Sequence, residues 1–239
     1  DKLNFDGFNI DLLAKKFNTP TYCYSFKKLK ENIINFKKNF REINPLICFS
    51  VKSNSNIKIL NEIKKLDLGA DVVSVGELMK ALKAGIKPKK IVFSGVGKTT
   101  SEIKYAVDKK ILLINTESEN EILEIEKIAK LKKKNVDIGI RLNPNTDAKT
   151  INQISTGKKE DKFGVNEKVF LKLVKYLKNS KHLNLKCLSV HIGSQITSPQ
   201  PYKKMLVVIN KIIKKTKYNY EYIDLGGGMG IDYTQNKKK

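Results

Sequence analysis

Seven short runs of β-branched and aliphatic residues punctuate this chain, and a segment of helical spacing separates each from the next. The runs fall at 46–51, 70–74, 91–94, 111–114, 136–142, 185–191 and 222–225. Helical patterns read between them, at about 56–66, 76–84, 100–108, 118–133, 166–180 and 202–216. Few folds accommodate that rhythm. Consecutive strands joined through helices run parallel, because only a long crossover returns the chain to the same end of a sheet. No G-x-G-x-x-G follows the first run, which argues against a dinucleotide-binding open sheet. The sequence therefore predicts an α/β fold of the (β/α)8 TIM-type barrel class, with its functional residues at the C-terminal ends of the strands.

Only seven barrel strands can be read before the chain reaches Lys237-Lys238-Lys239. The expectation is an incomplete barrel, cut short before an eighth strand, with an open edge that a closed barrel would lack. Upstream lie an amphipathic stretch, "IDLLAKKFN", and a further strand, "TYCYS", at 21–25. A helix is expected over 26–43, with Leu29, Ile33, Phe36 and Phe40 on one face. Residues 1–25 thus read as an N-terminal segment and strand, and 26–239 as the barrel. The opening "DKLNFDGFNI" has no apolar h-region and no initiator methionine, so it reads as the interior of a longer frame rather than a signal peptide.

The formal charge of +23 raises a nucleic-acid reading, which the distribution of charge opposes. Lysines are spread over nearly every helix. Arg41 and Arg141 are the only arginines, whereas base and phosphate recognition favours the guanidinium fork. Loose adhesion to polyanions is expected, without a specific nucleic-acid partner. Cys23, Cys48 and Cys187 lie in apolar stretches, form no C-x-x-C pair and fit reduced, buried thiols of a cytoplasmic protein. His182 and His191 are too few for a histidine-rich metal site, and no run is long and apolar enough to cross a bilayer.

Chemistry-bearing residues collect where the predicted strands end. The first strand closes on Lys52. In a lysine-rich chain this residue can mark the exit into water, or it can be a partly buried amine that attacks a carbonyl. The second runs into "GADVVSVGEL", with Asp71, Ser74 and Glu77. Arg141 ends the fifth, while His191 and Ser194 follow the sixth. After the seventh come Gly226, Gly227 and Gly228, whose missing Cβ atoms let backbone N–H groups approach an anion. A lysine, an anion cradle, a flat histidine ring and an arginine on one rim suit pyridoxal 5'-phosphate, which needs an amine for its aldehyde and an anchor for its phosphate.

In order and spacing, "FSVKSN", "GADVVSVGEL", "RLNPNTDAKTINQISTGKKEDKFGV", "HIGSQ" and "DLGGGMGI" resemble the diaminopimelate decarboxylase family, within the alanine-racemase-like class of pyridoxal-phosphate enzymes. The resemblance runs from about residue 5 to 233. It implies Lys52 as the lysine that carries the cofactor and His191 as the ring against its face. Ser194 and Gly226 to Gly228 would hold the phosphate, with Asp71 and Arg141 beside the cofactor and Glu77 in support. The implied activity is decarboxylation of meso-diaminopimelate to L-lysine by a cytoplasmic homodimer. The segment "ISTGKKEDKFG", at 154–164, resembles the loop that separates this subfamily from ornithine-type decarboxylases.

Two departures stand out. Ile151-Asn152-Gln153 replaces a His-Pro common after "DAKT", and the Glu-Pro-Gly-Arg motif and C-terminal β-domain of the family are absent. An inactive fragment is the resulting expectation. The rival readings are a decarboxylase of the ornithine, arginine or carboxynorspermidine type, a non-catalytic pyridoxal-phosphate barrel, and a nucleic-acid-binding protein.

Overall fold

A computed structural model of the chain describes residues 3–146, 163–231 and 233. The chain opens with a small hairpin, β1 (Asn4–Phe5) and β2 (Phe8–Asn9). Asp6 and Gly7 both take positive φ, 50° and 85°, the geometry that a two-residue Asp-Gly turn supplies. Helices α1 (Ile10–Phe17) and α2 (Phe26–Asn39) follow, and neither contains a buried residue. Residues 21–25 form no strand, contrary to expectation. Tyr22 is 88% exposed and pairs with no ladder, so β-propensity alone had nothing to act on, and Cys23, expected to be buried, is exposed for the same reason. Helix α2 also stops short of the expected residue 43, where Phe40 serves as C-cap.

The seven remaining strands are β3 (Cys48–Ser50), β4 (Gly69–Val72), β5 (Ile91–Phe93), β6 (Leu113–Thr116), β7 (Val136–Arg141), β8 (Leu183–Ser189) and β9 (Tyr222–Asp224). They form one sheet in sequential order, with every neighbouring pair parallel. Helices α3 (Ile57–Lys65), α4 (Val75–Lys83), α5 (Thr100–Lys109), α6 (Glu119–Leu131), α7 (Glu167–Leu177) and α8 (Gln200–Thr216) occupy the connections. A strand order that never reverses winds the sheet in one sense, as in a barrel, and creates no switch point of the doubly wound kind.

Side-chain contacts show how far the sheet curls. Strands β6 and β9 are three steps apart, roughly 14 Å in a flat sheet. Yet Asn115 Nδ2 on β6 donates to Asp224 Oδ2 on β9 at 2.9 Å. Only a sheet rolled towards closure brings those tips together. The edge strands β3 and β9 flank the opening, and β3 is half-buried throughout rather than covered on both faces.

Most of the core lies between the outer face of the sheet and the helices, where Val72, Phe93, Ile114, Ile138 and Leu188 meet Ile63, Leu78, Ile103, Ile122 and Phe170. Burying each such side chain stabilises the fold by roughly 2 kcal/mol. A second, small apolar cluster of Val92, Leu113 and Cys187, flanked by Cys48 and Tyr222, sits inside the curl. Polar N-caps start the helices beside the strand ends: Ser74 for α4, Thr99 for α5 and Ser118 for α6 each accept an N–H from a glutamate three residues on.

Candidate functional site

Because the strands are parallel, their C-terminal ends share one rim, and all eight predicted site residues lie on or just below it. Lys52 sits on a single 3-10 turn, Val51–Ser53, that leaves β3. Its side chain is exposed, so the partly buried amine anticipated from sequence is not what the structure contains. The turn carries Lys52 beyond the end of the edge strand β3. Its charge nonetheless reaches inward and acts on both Asp71 and His191.

Beneath the rim, inward-facing polar side chains from five strands form a hydrogen-bonded floor. Ser94 Oγ donates to Asp71 Oδ1 at 2.5 Å. Asn115 Nδ2 reaches Ser94, Ser189 and Asp224, and Ser189 Oγ donates to Asp224 Oδ2 at 3.0 Å. Asn115 fits because β7 carries a glycine there: a Cβ on Gly139 would lie 2.1 Å from Asn115 Oδ1. That oxygen is itself buried without a hydrogen-bond partner among the described residues. Burial pushes the Asp71 carboxyl up to about 6, and Asp224 and Glu77 add to the rise, while Ser94 and Lys52 oppose it. Glu77 works locally, accepting the Val73 N–H at 2.9 Å in the turn into α4.

Arg141 ends β7 and is nearly buried. Its Nη1 donates to Glu117 Oε1 at 2.9 Å, and its guanidinium lies 4.9 Å from the Phe163 ring centroid. The charge that the sequence left available for a ligand is thus largely engaged by Glu117, a residue the strand-end reading passed over. Glu117 Oε2 also accepts the Gly164 N–H, and so ties this segment to the rim. A buried lysine holds the same corner: Lys98 Nζ contacts Glu121 and the carbonyls of Gly95 and Asn115. The rest of the anticipated 154–164 loop, up to residue 162, lies outside the described residues.

His191 follows β8, half-buried, and its Nδ1 accepts the Gly227 N–H at 3.2 Å. That bond leaves the ring proton on Nε2. Burial first, then the charges of Arg141 and Lys52, push its pKa down to about 4, so the imidazole is neutral near pH 7. The loop carrying Ser194 runs beside the glycine loop, joined by Ile196 N–H to Gly228 O and Gly230 N–H to Ile196 O. The three glycines differ. A Cβ on Gly226 would lie 2.6 Å from Val190 O, and one on Gly228 would lie 1.8 Å from Gly193 O. On Gly227 it would meet nothing within 4 Å. Moreover, the Gly226 and Gly227 N–H groups already bond Asp224 and His191, so the loop holds fewer spare donors than three consecutive glycines suggest.

The family described as pyridoxal-dependent decarboxylase, pyridoxal binding domain, matches residues 26–239. The chain belongs to that family. Among curated pyridoxal-dependent decarboxylases it is similar to the diaminopimelate decarboxylase of Campylobacter jejuni, with 42% identity over 94% of this chain and 57% of the relative. The Helicobacter pylori enzyme is 44% identical over 95% of this chain and 56% of the relative. A crystal structure of the H. pylori enzyme complexed with L-lysine superposes with a TM-score of 0.92 at 42% identity, covering 96% of this chain and 59% of that one. The chain therefore spans somewhat over half the length of the curated relatives it matches.

The residues on the rim suit the family's cofactor. Lys52 supplies an accessible amine, His191 a neutral flat ring, and Gly227 a backbone position whose missing side chain leaves open space. Among the described residues no cluster of three or more His, Cys, Asp or Glu could hold a metal ion, and no helix is long and apolar enough to cross a membrane.

Proposed function

We propose that the protein decarboxylates meso-diaminopimelate to L-lysine with pyridoxal 5'-phosphate, in the cytoplasm and as a homodimer. The observation that carries this reading is identity of 42% and 44% with diaminopimelate decarboxylases along nearly all of the chain, joined to a rim that collects Lys52, Asp71, Arg141 and His191. Bound pyridoxal phosphate supplies an aldehyde for amines and a conjugated ring that accepts the electrons a departing carboxylate leaves behind. Lys52 would be the amine that holds the cofactor through its aldehyde. His191, neutral and fixed through Nδ1, offers its flat ring as a wall without adding a charge. Ser194 and the glycine loop would hold the phosphate, with the Gly228 N–H as donor and Gly227 leaving room, since the Gly226 and Gly227 N–H groups serve Asp224 and His191. The Lys52 charge acts on the Asp71 carboxyl, and Arg141, held by Glu117, would stand beside the cofactor.

Borohydride reduction with pyridoxal phosphate tests the assignment of Lys52. The label should appear on the peptide containing Lys52 and vanish in Lys52→Ala. Labelling of another lysine removes Lys52 from the role. For the substrate, the full gene product should release carbon dioxide and L-lysine from meso-diaminopimelate. Release from ornithine or arginine instead sinks the substrate assignment.

A further inference from the structure

We propose that Asp224 is the positioning residue for His191: its carboxylate fastens the glycine loop whose Gly227 N–H fixes the imidazole Nδ1 as an acceptor. Asp224 ends β9, half-buried under the rim. Both of its oxygens are used. Oδ1 accepts the Gly226 N–H at 2.8 Å, directly above the strand. Oδ2 accepts Asn115 Nδ2 and Ser189 Oγ, at 2.9 and 3.0 Å, and so roots the carboxylate in β6 and β8.

The glycine loop then forms the seat of the ring. Gly226 adopts φ 67°, and a Cβ there would stand 2.8 Å from His191 Nδ1, so the bare Cα packs against the imidazole. The next N–H, from Gly227, donates to Nδ1. A donor aimed at the lone pair of a neutral ring favours the neutral form and selects the tautomer with the proton on Nε2. Arg141 and Lys52 face the same ring and also disfavour its protonation. The loop bond is the part of this environment that depends on Asp224. The chain of contacts thus runs from the floor through Asp224 and two backbone amides to a group on the rim. The role of His191 towards the cofactor rests on the function proposed above, whereas its seating by Asp224 does not.

The two are separable by nitrogen NMR of the protein labelled at histidine and free of cofactor. The chain has two histidines, and His182→Gln assigns the second signal. In the parent, His191 should show a bare Nδ1 and a protonated Nε2 at neutral pH. In Asp224→Ala this signature should give way to a tautomer mixture. Asp224→Asn retains a carbonyl oxygen for the Gly226 N–H and should keep the parent tautomer. An unchanged His191 in folded Asp224→Ala overturns the proposal. So does an Asn variant that moves His191 as far as the alanine does. If Asp224→Ala does not fold, Asp224→Asn decides: the Gly226 amide must exchange as slowly as in the parent with His191 unmoved, and loss of either overturns it. Cofactor titration is read separately. His191 signals that move in Asp224→Ala yet ignore pyridoxal phosphate support the positioning role and refute the ring's place in the site.

Discussion

Two levels inside the curled sheet differ in polarity. The lower level is apolar, with Cys48, Val92, Leu113, Cys187 and Tyr222 packed together. One alternation step along the same strands lies the polar floor of Ser94, Asn115, Ser189 and Asp224, beside Asp71. Each pair, such as Leu113 and Asn115 or Cys187 and Ser189, is two residues apart and therefore on the same face of its strand. In the lower level, desolvation pushes the Cys48 thiol up to about 12, which leaves it inert. In the upper level, the carboxylates and the Asn115 Nδ2 group retain partners, so polarity is tolerated and orientation is fixed. The lower level contributes burial, and the upper one holds the rim in place.

The largest expected effect removes the space that lets the floor exist. In Gly139→Val the new Cβ would stand 2.1 Å from Asn115 Oδ1 and 3.0 Å from Cys187 Cβ, so both levels are disturbed at once. Destabilisation of about 3 kcal/mol is expected, from overpacking and from partners lost around Asn115. The chain has no tryptophan, so urea unfolding is followed by far-ultraviolet circular dichroism. An unshifted midpoint would falsify the tight fit between β6 and β7.

A smaller effect distinguishes the levels by pH. The Asp71 carboxyl titrates at about 6 in the fold against an ordinary 3.8, chiefly because of burial. A folded pKa above the unfolded one gives stability that is complete below about pH 4 and is lost as pH rises through about 6. Asp71→Asn lacks this loss and can still accept the Ser94 hydroxyl. Its thermal stability relative to the parent should therefore improve between pH 5 and pH 8. Because solvent reaches this half-buried side chain, the gain is at most about 2 kcal/mol. Equal behaviour at both pH values would show that the floor is wetter than its hydrogen bonds indicate.

The smallest effect on stability, and the most informative about the rim, comes from Gly227. Gly227→Ala should change unfolding by no more than about 0.5 kcal/mol, since its Cβ enters open space. Affinity for pyridoxal phosphate should nevertheless fall by about tenfold, as the methyl occupies room meant for the cofactor. Gly228→Ala is the control, because its Cβ would meet Gly193 O at 1.8 Å. If Gly227→Ala binds as tightly as the parent, the open space above the loop is not the cofactor's.

Much of this was legible beforehand. All seven sheet strands and the helices between them follow from periods of two and about 3.6, which the chain sets locally. Lys52, Asp71, Arg141, His191, Ser194 and the glycines were visible because strand ends of a parallel sheet meet on one rim. The sequence also carried a signal that went unread: in "IVFS", "LINT", "CLS" and "YID" a polar residue stands two places beyond an inward apolar one, or closes its strand. Only tertiary structure decided the rest. It denied 21–25 a ladder partner, left Lys52 exposed on an edge and gave the charge of Arg141 to Glu117. It also joined Asn115 to Asp224, 109 positions away along the chain. Such meetings depend on how tightly the sheet curls, a property of all seven strands together that no local pattern encodes.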